Sequence, residues 1–90
     1  HMGAGSITSN VKSDKLLVKI HAEDGEIETG RKKVGAMLGD QVEVGCGSVL
    51  NPGTVIGRES NIYPLSSVRG CVNARSIYKR QGEVAEKREQ

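Results

Sequence analysis

LGDQVE, VGCGSV, LNPGTV, IGRESN, IYPLSS and VRGCVN run without a break from Leu38 to Asn73 and read as six hexapeptides in one register. The first position is always aliphatic: Leu38, Val44, Leu50, Ile56, Ile62 and Val68. The fifth is always Val, Ser or Thr: Val42, Ser48, Thr54, Ser60, Ser66 and Val72. A fixed short period with one apolar position per unit is the signature of a parallel β-helix, in which each unit supplies one side of a coil. Three hexads make one coil of a three-sided helix. Leu38 then stacks under Ile56, Val44 under Ile62 and Leu50 under Val68, each about 4.8 Å from the next. Gly39, Gly45 and Gly57 suit corners where the backbone turns sharply. Asn51-Pro52-Gly53 is a turn signal of the same kind.

Outward from this block the chain divides into four stretches. Residues 1–10 hold one more hexad, MGAGSI, and read as the end of an upstream coil. His1-Met2 fits a cloning remnant, although Met2 also fits the coil pattern. Residues 11–33 break the period. There the alternation of Leu16, Val18 and Ile20, followed by Asp24-Gly25, predicts an inserted β-hairpin with a tight turn. Its tip is acidic and its base, Arg31-Lys32-Lys33, is basic; both runs also suit a solvated surface. Residues 34–73 are two coils. Residues 74–90 are a capping strand, ARSIYKRQG, and a charged tail, EVAEKREQ, expected as a short helix or frayed end.

The composition sets limits. The 90 residues contain no Phe or Trp and only 2 Tyr, so a conventional globular core is hard to fill. Ordering the backbone costs about 1–2 kcal/mol per residue, which a narrow coil interior repays poorly. Further coils or association with other chains would supply the missing burial. The 13 basic and 11 acidic residues are too balanced to indicate nucleic acid. No long apolar run suggests a membrane span, and the cytoplasm is the expected compartment. With hexad stacking, Cys46 falls under Pro64 and Cys71 over Gly53. The two thiols then lie on different parts of the cross-section, and no disulfide is expected. Each suits a small residue filling a turn.

The hexads resemble the left-handed β-helix of the hexapeptide-repeat acyltransferases. GAGSITSNVKSDK at Gly3–Lys15, the hairpin with its TGRKK end, and MLGDQVEVG at Met37–Gly45 sharpen the likeness. They resemble the C-terminal β-helix of UDP-N-acetylglucosamine pyrophosphorylase/glucosamine-1-phosphate N-acetyltransferases, of UDP-N-acetylglucosamine pyrophosphorylase-related proteins, and of archaeal sugar-1-phosphate nucleotidylyltransferases with an acetyltransferase tail. The fold implied is all-β: a single-stranded left-handed parallel β-helix with an inserted hairpin and a short C-terminal tail. The left hand is an exception to the usual right-handed crossover.

The same resemblance implies a homotrimer, acetyl-CoA as co-substrate and a sugar phosphate as acceptor. Asn10 matches the family's amino-sugar contact and Lys15 its phosphate contact, roles that suit an amide and an ammonium. Cys46 falls at a CoA-contacting Ser, and Lys79 or Arg80 at a basic residue that meets the CoA phosphates. Against these roles stand a turn-forming Asn10, a solvated Lys15 and a small buried Cys46. Val11 replaces a family Tyr and removes a hydroxyl from the acceptor side. The family's base His falls before residue 1; His1 is out of place for it, and His21 lies on the hairpin. No catalytic residue is therefore assigned within these residues, and the chain reads as the C-terminal part of a longer protein. The basic stretch 60–82, with Arg69, Arg75, Lys79 and Arg80, suits either the CoA phosphates or a plain basic rim. Two further readings are a non-catalytic trimerising scaffold and a zinc-binding carbonic anhydrase branch. The second needs three His, and the chain has 2, so no metal is expected.

Overall fold

The computed structural model describes residues 1–22, 24–80 and 83–87. Short parallel strands stack into three narrow sheets, one per side of a prism. The first side carries β5 (Glu43–Val44), β8 (Asn61–Ile62) and β11 (Ser76–Arg80). The second carries β1 (Ile7–Thr8), β6 (Val49–Leu50) and β9 (Ser67–Val68). The third carries β4 (Met37–Leu38), β7 (Val55–Ile56) and β10 (Cys71–Val72). All three predicted ladders are present: Leu38 pairs with Ile56, Val44 with Ile62 and Leu50 with Val68. Val44, Leu50, Ile56, Ile62 and Val68 are buried and join Val42, Val72 and Tyr78 in one core, whereas Leu38, in the lowest strand of its side, stays exposed.

The stack extends below and above the six hexads. Met2 bridges to Val44 and Thr8 pairs with Leu50, so residues 2–8 keep the coil register across the insertion. Above, the period shortens. Val72 lies over Ile56 and Tyr78 over Ile62, at separations of 16 residues where the coil below has 18. Val72 thus serves both as the fifth residue of one hexad and the first of the next. Gly70, at φ +88°, makes the tight corner that removes two residues. This moves Cys71 from its expected place over Gly53 to a place over Val55.

The corners are made differently from the sequence reading. The left-handed backbone conformation recurs at the fourth hexad position, at Gly5, Gln41, Gly47, Gly53, Glu59, Leu65 and Arg75. The second-position glycines have another cause. A Cβ on Gly57 would lie 2.6 Å from Ala74 Cα, and one on Gly45 would lie 2.7 Å from Pro64 Cα. Neighbouring coils pack backbone to backbone there, and no side chain fits.

The fifth-position hydroxyls hold the coils together from inside. Ser48, Thr54 and Ser60 are fully buried. Ser60 Oγ donates to the Asn73 carbonyl (3.0 Å) and accepts from Ser76 N–H (3.1 Å). Ser48 repeats the pattern with the Tyr63 carbonyl and Ser66 N–H. A buried backbone group without a partner costs about 1–3 kcal/mol, so a small residue with both a donor and an acceptor suits this position. Tyr78 fills the last coil; its hydroxyl donates to the Ser67 carbonyl (2.9 Å), and burial pushes its phenol up from the ordinary value.

The insertion forms the expected hairpin, β2 (Lys19–Ala22) against β3 (Gly25–Glu28). Gly25 pairs with Ala22, so it begins the second strand rather than closing the turn. The hairpin does not swing free. His21 N–H donates to the Gly53 carbonyl (3.0 Å), and Val18 is fully buried beside the same corner. Thr29 Oγ1 donates to the Val18 carbonyl at 2.6 Å and pins the hairpin base.

At the other end, EVAE is neither helix nor frayed tail. It forms β12 (Glu83–Glu86), antiparallel to β11, and covers the exposed edge of the first sheet. The remainder of the predicted tail, residues 88–90, lies outside the described residues, as do Gln81 and Gly82 of the capping stretch.

Candidate functional site

Concavities lie at the corners of the prism, and two of them are near the residues expected from the sequence. One lies between the second and third sides. Ser9, Asn51 and Arg69 each follow the paired residues Thr8, Leu50 and Val68, so they form a column up that corner. Asn51 is fixed by its amide, which donates to Ser67 Oγ (3.1 Å) and to the Val68 carbonyl (2.8 Å). The segment leaving β1 wraps beside the column, and the hairpin closes the far wall. Together they enclose about 240 Å³ lined by Ser9, Val11, Lys12, Ser13, Asp14, His21, Asn51, Pro52 and Arg69.

The wall is polar and carries basic side chains of three kinds. Lys12 Nζ sits 3.6 Å from Asp14 Oδ2, a pair open enough to exchange for another anion. Arg69 reaches in from the third coil. His21 enters from the hairpin with its Nδ1 3.2 Å from Glu26 Oε2. Hydroxyls from Ser9 and Ser13 complete a lining that suits an oxyanion carried on a polar ligand.

The residues matched by resemblance lie around this concavity rather than on its wall. Asn10 is exposed where the insertion leaves the coil, and its carbonyl accepts from Val34 N–H (3.0 Å). Lys15 is exposed in the left-handed conformation (φ +62°), in a turn closed by its N–H to the Lys12 carbonyl. The cation that lines the concavity is Lys12, three residues earlier. The hexad column through Ser9 and Asn51 and the cross-strand hairpin register were the signals for the residues not singled out from sequence. Both needed the insertion's exact placement.

The second concavity, about 290 Å³, lies where the first side turns into the second. Cys46 lines it with His1, Gly3, Asn61, Tyr63 and Pro64. Cys46 and Cys71 are both exposed and form no disulfide, so Cys46 is not the small buried residue expected from the sequence. Asn61 Nδ2 donates to Glu43 Oε2 (3.2 Å), whereas its Oδ1 is buried with no partner among the described residues. Lys79 and Arg80 are exposed at the end of β11. The parallel register of β11 with β8 ends at Tyr78, and Arg80 pairs with Glu83 of β12 beyond a register shift. The basic stretch 60–82 therefore splits. Arg69 lines the first concavity, while Lys79 and Arg80 lie at the end of β11 and line neither. Among the described residues, no three His, Cys, Asp or Glu side chains converge in a metal-binding group.

The chain is 33% identical over 79 residues to a bifunctional sugar-1-phosphate nucleotidylyltransferase/acetyltransferase of Sulfurisphaera tokodaii. The match takes in 88% of this chain and 20% of that protein. Its structure is similar to a galactoside acetyltransferase solved in complex with coenzyme A, with a TM-score of 0.52 and 24% identity. That likeness covers 98% of this chain and 44% of the other. The chain is a hexapeptide-repeat left-handed β-helix. No protein-family model matches it. The chain spans about a fifth of the curated relative it matches.

Proposed function

We propose that this hexapeptide-repeat chain serves acyl transfer from acetyl-CoA to an amino-sugar phosphate. The observation that carries the reading is the concavity of Lys12, Arg69, Ser9, Ser13 and Asn51. It offers two flexible cations for a phosphomonoester, with hydroxyls and an amide for sugar hydroxyls. Its place directly beside the GAGSITSN stretch agrees with the likeness to the sugar-1-phosphate nucleotidylyltransferase/acetyltransferase.

The corner of Cys46 suits the acyl donor. Buried Asn61 Oδ1 is an acceptor in need of a donor, and the pantetheine arm of acetyl-CoA carries amide N–H groups. Lys79 and Arg80, exposed at the end of β11, would offer cations to the donor's phosphates. The galactoside acetyltransferase that shares this fold was solved with coenzyme A, which supports the choice of donor.

The two concavities occupy different corners of one prism. A homotrimer that sets one corner of each chain against another corner of its neighbour would bring donor and acceptor together. Exposed thiols outside any disulfide suit the cytoplasm. One observation favours the rival reading, a trimerising scaffold without catalysis: Asn10 and Lys15 do not line the concavity.

Calorimetric titration with acetyl-CoA and with glucosamine 1-phosphate tests the proposal, with light scattering on the same sample. Saturable binding of both ligands to a trimer is expected. A trimer that binds neither at millimolar concentration would establish the scaffold instead.

A further inference from the structure

We propose that the hairpin insertion carries a self-association surface, with the acidic tip of one copy seated on the basic base of the next; this names a contact for the homotrimer proposed above and rests on that reading. The insertion is a charge dipole. Asp24, Glu26 and Glu28 lie on or beside β3, and all three are exposed. At the other end Arg31, Lys32 and Lys33 are exposed as well. Val18 N–H donates to the Arg31 carbonyl (2.8 Å), which sets Lys15 near the same end. Strands of 4 residues, at about 3.4 Å per residue, hold the two ends roughly 10 Å apart. Glu26 pairs with His21, but Asp24, Glu28, Lys15, Arg31, Lys32 and Lys33 enter no ion pair among the described residues. The opposite charges of one hairpin therefore do not neutralise each other.

Apolar side chains accompany both charge runs. Ile27 is 56% exposed in the middle of the acidic strand, and Leu16 and Leu17 are 62% and 50% exposed beside the basic end. A merely solvated hairpin has no use for them. Each end thus pairs one sign of charge with open apolar surface, and the two ends complement each other in both respects. Direct pairing of two β3 edges is disfavoured, because it would set Glu26 and Glu28 against the same acids. Tip on base is a heterologous contact, and such contacts close into a ring when the rotation allows. The bond from His21 N–H to the Gly53 carbonyl holds the hairpin on the coil, so its charges are presented in a fixed place. Lys15, exposed and off the wall of the concavity, then faces a neighbour's carboxylates. A hairpin contact is small against the roughly 800 Å² per partner of a stable pair, so association should depend strongly on salt.

Sedimentation velocity of the 90-residue chain, across protein and salt concentration, is the test. The wild type should associate, with a dissociation constant that rises about tenfold or more between roughly 50 mM and roughly 500 mM NaCl. Asp24→Lys, Glu26→Lys and Glu28→Lys together reverse the tip; Arg31→Glu, Lys32→Glu and Lys33→Glu together reverse the base. Each triple variant alone should associate about 10²-fold more weakly while circular dichroism keeps the wild-type strand signal. Mixing the two in equal amounts should restore association, since a reversed tip then meets a reversed base; damage to the fold would not recover on mixing. Ile27→Ser should weaken association by about tenfold and leave its salt dependence unchanged. A wild-type oligomer untouched by salt or by either reversal would overturn the hairpin contact and leave the homotrimer standing. A monomer at every concentration would overturn both. Binding of that monomer to phosphatidylserine vesicles, lost on reversing the base, would assign the basic end to an anionic membrane instead.

Discussion

Gly57 and Glu59 stand two residues apart in one hexad, and substitutions there should have opposite effects. Gly57→Ala adds a Cβ that would sit 2.6 Å from Ala74 Cα and 2.9 Å from the Asn73 carbonyl carbon. Every obstructing atom is backbone of the next coil, so no side chain can rotate away. Overpacking of this kind costs about 1–3 kcal/mol. Glu59 has φ +57°, a conformation that costs a non-glycine residue about 1–2 kcal/mol. Glu59→Gly removes that cost but adds about 0.5–1 kcal/mol of unfolded-chain entropy, which leaves a net gain of roughly 0.5–1 kcal/mol. In a domain of this size each kcal/mol moves Tm by about 4–8 °C. Gly57→Ala should therefore lower Tm by roughly 4–24 °C, and Glu59→Gly should raise it by about 2–8 °C. Thermal unfolding followed by circular dichroism, at one protein concentration, reads both. A neutral Gly57→Ala together with a destabilising Glu59→Gly would refute the reasoning, because it would place the strained corner at the second hexad position rather than the fourth.

Ser60→Ala strands Ser76 N–H and the Asn73 carbonyl inside the coil; urea unfolding should show a loss of about 2–3 kcal/mol with an unchanged m-value. The Tyr78 phenol is raised by burial, so the folded state favours its neutral form. That contribution is complete below the ordinary phenol value of about 10 and fades as pH rises through the folded value. Stability should fall more steeply above about pH 10 in the wild type than in Tyr78→Phe, which itself costs about 1 kcal/mol at neutral pH for the lost bond to Ser67. In the concavity proposed for the acceptor, Lys12→Met should weaken glucosamine 1-phosphate binding by about tenfold, whereas Lys15→Met should change it by less than roughly twofold. An equal loss from both would show that Lys15 turns inward when the ligand is bound.

The six hexads determined the architecture because a β-helix stacks residues at a fixed separation. Once Leu38, Val44 and Leu50 were placed, Ile56, Ile62 and Val68 followed above them. The hairpin was legible too, since its alternation differs in period from that of the coil. Local pattern did not reveal where coils touch. Gly45 and Gly57 look like corner glycines in sequence, yet contact with the backbone of the next coil requires them. The corners themselves carry Gln41, Glu59, Leu65 and Arg75, whose composition signals no turn.

The shortened coil at Gly70 was hidden for a related reason. Val72 satisfies the fifth-position rule of one hexad and the first-position rule of another, so the register slips without breaking the pattern. The candidate site depended most on tertiary structure. Sequence likeness pointed to Asn10 and Lys15, but a 23-residue insertion separates this neighbourhood from the regular coils. Only the docking of that insertion on Gly53 brings Lys12, His21 and Arg69 to one concavity. Repetition fixes everything that depends on one residue in six. The site is built where repetition is interrupted, and there only the folded backbone decides which side chains meet.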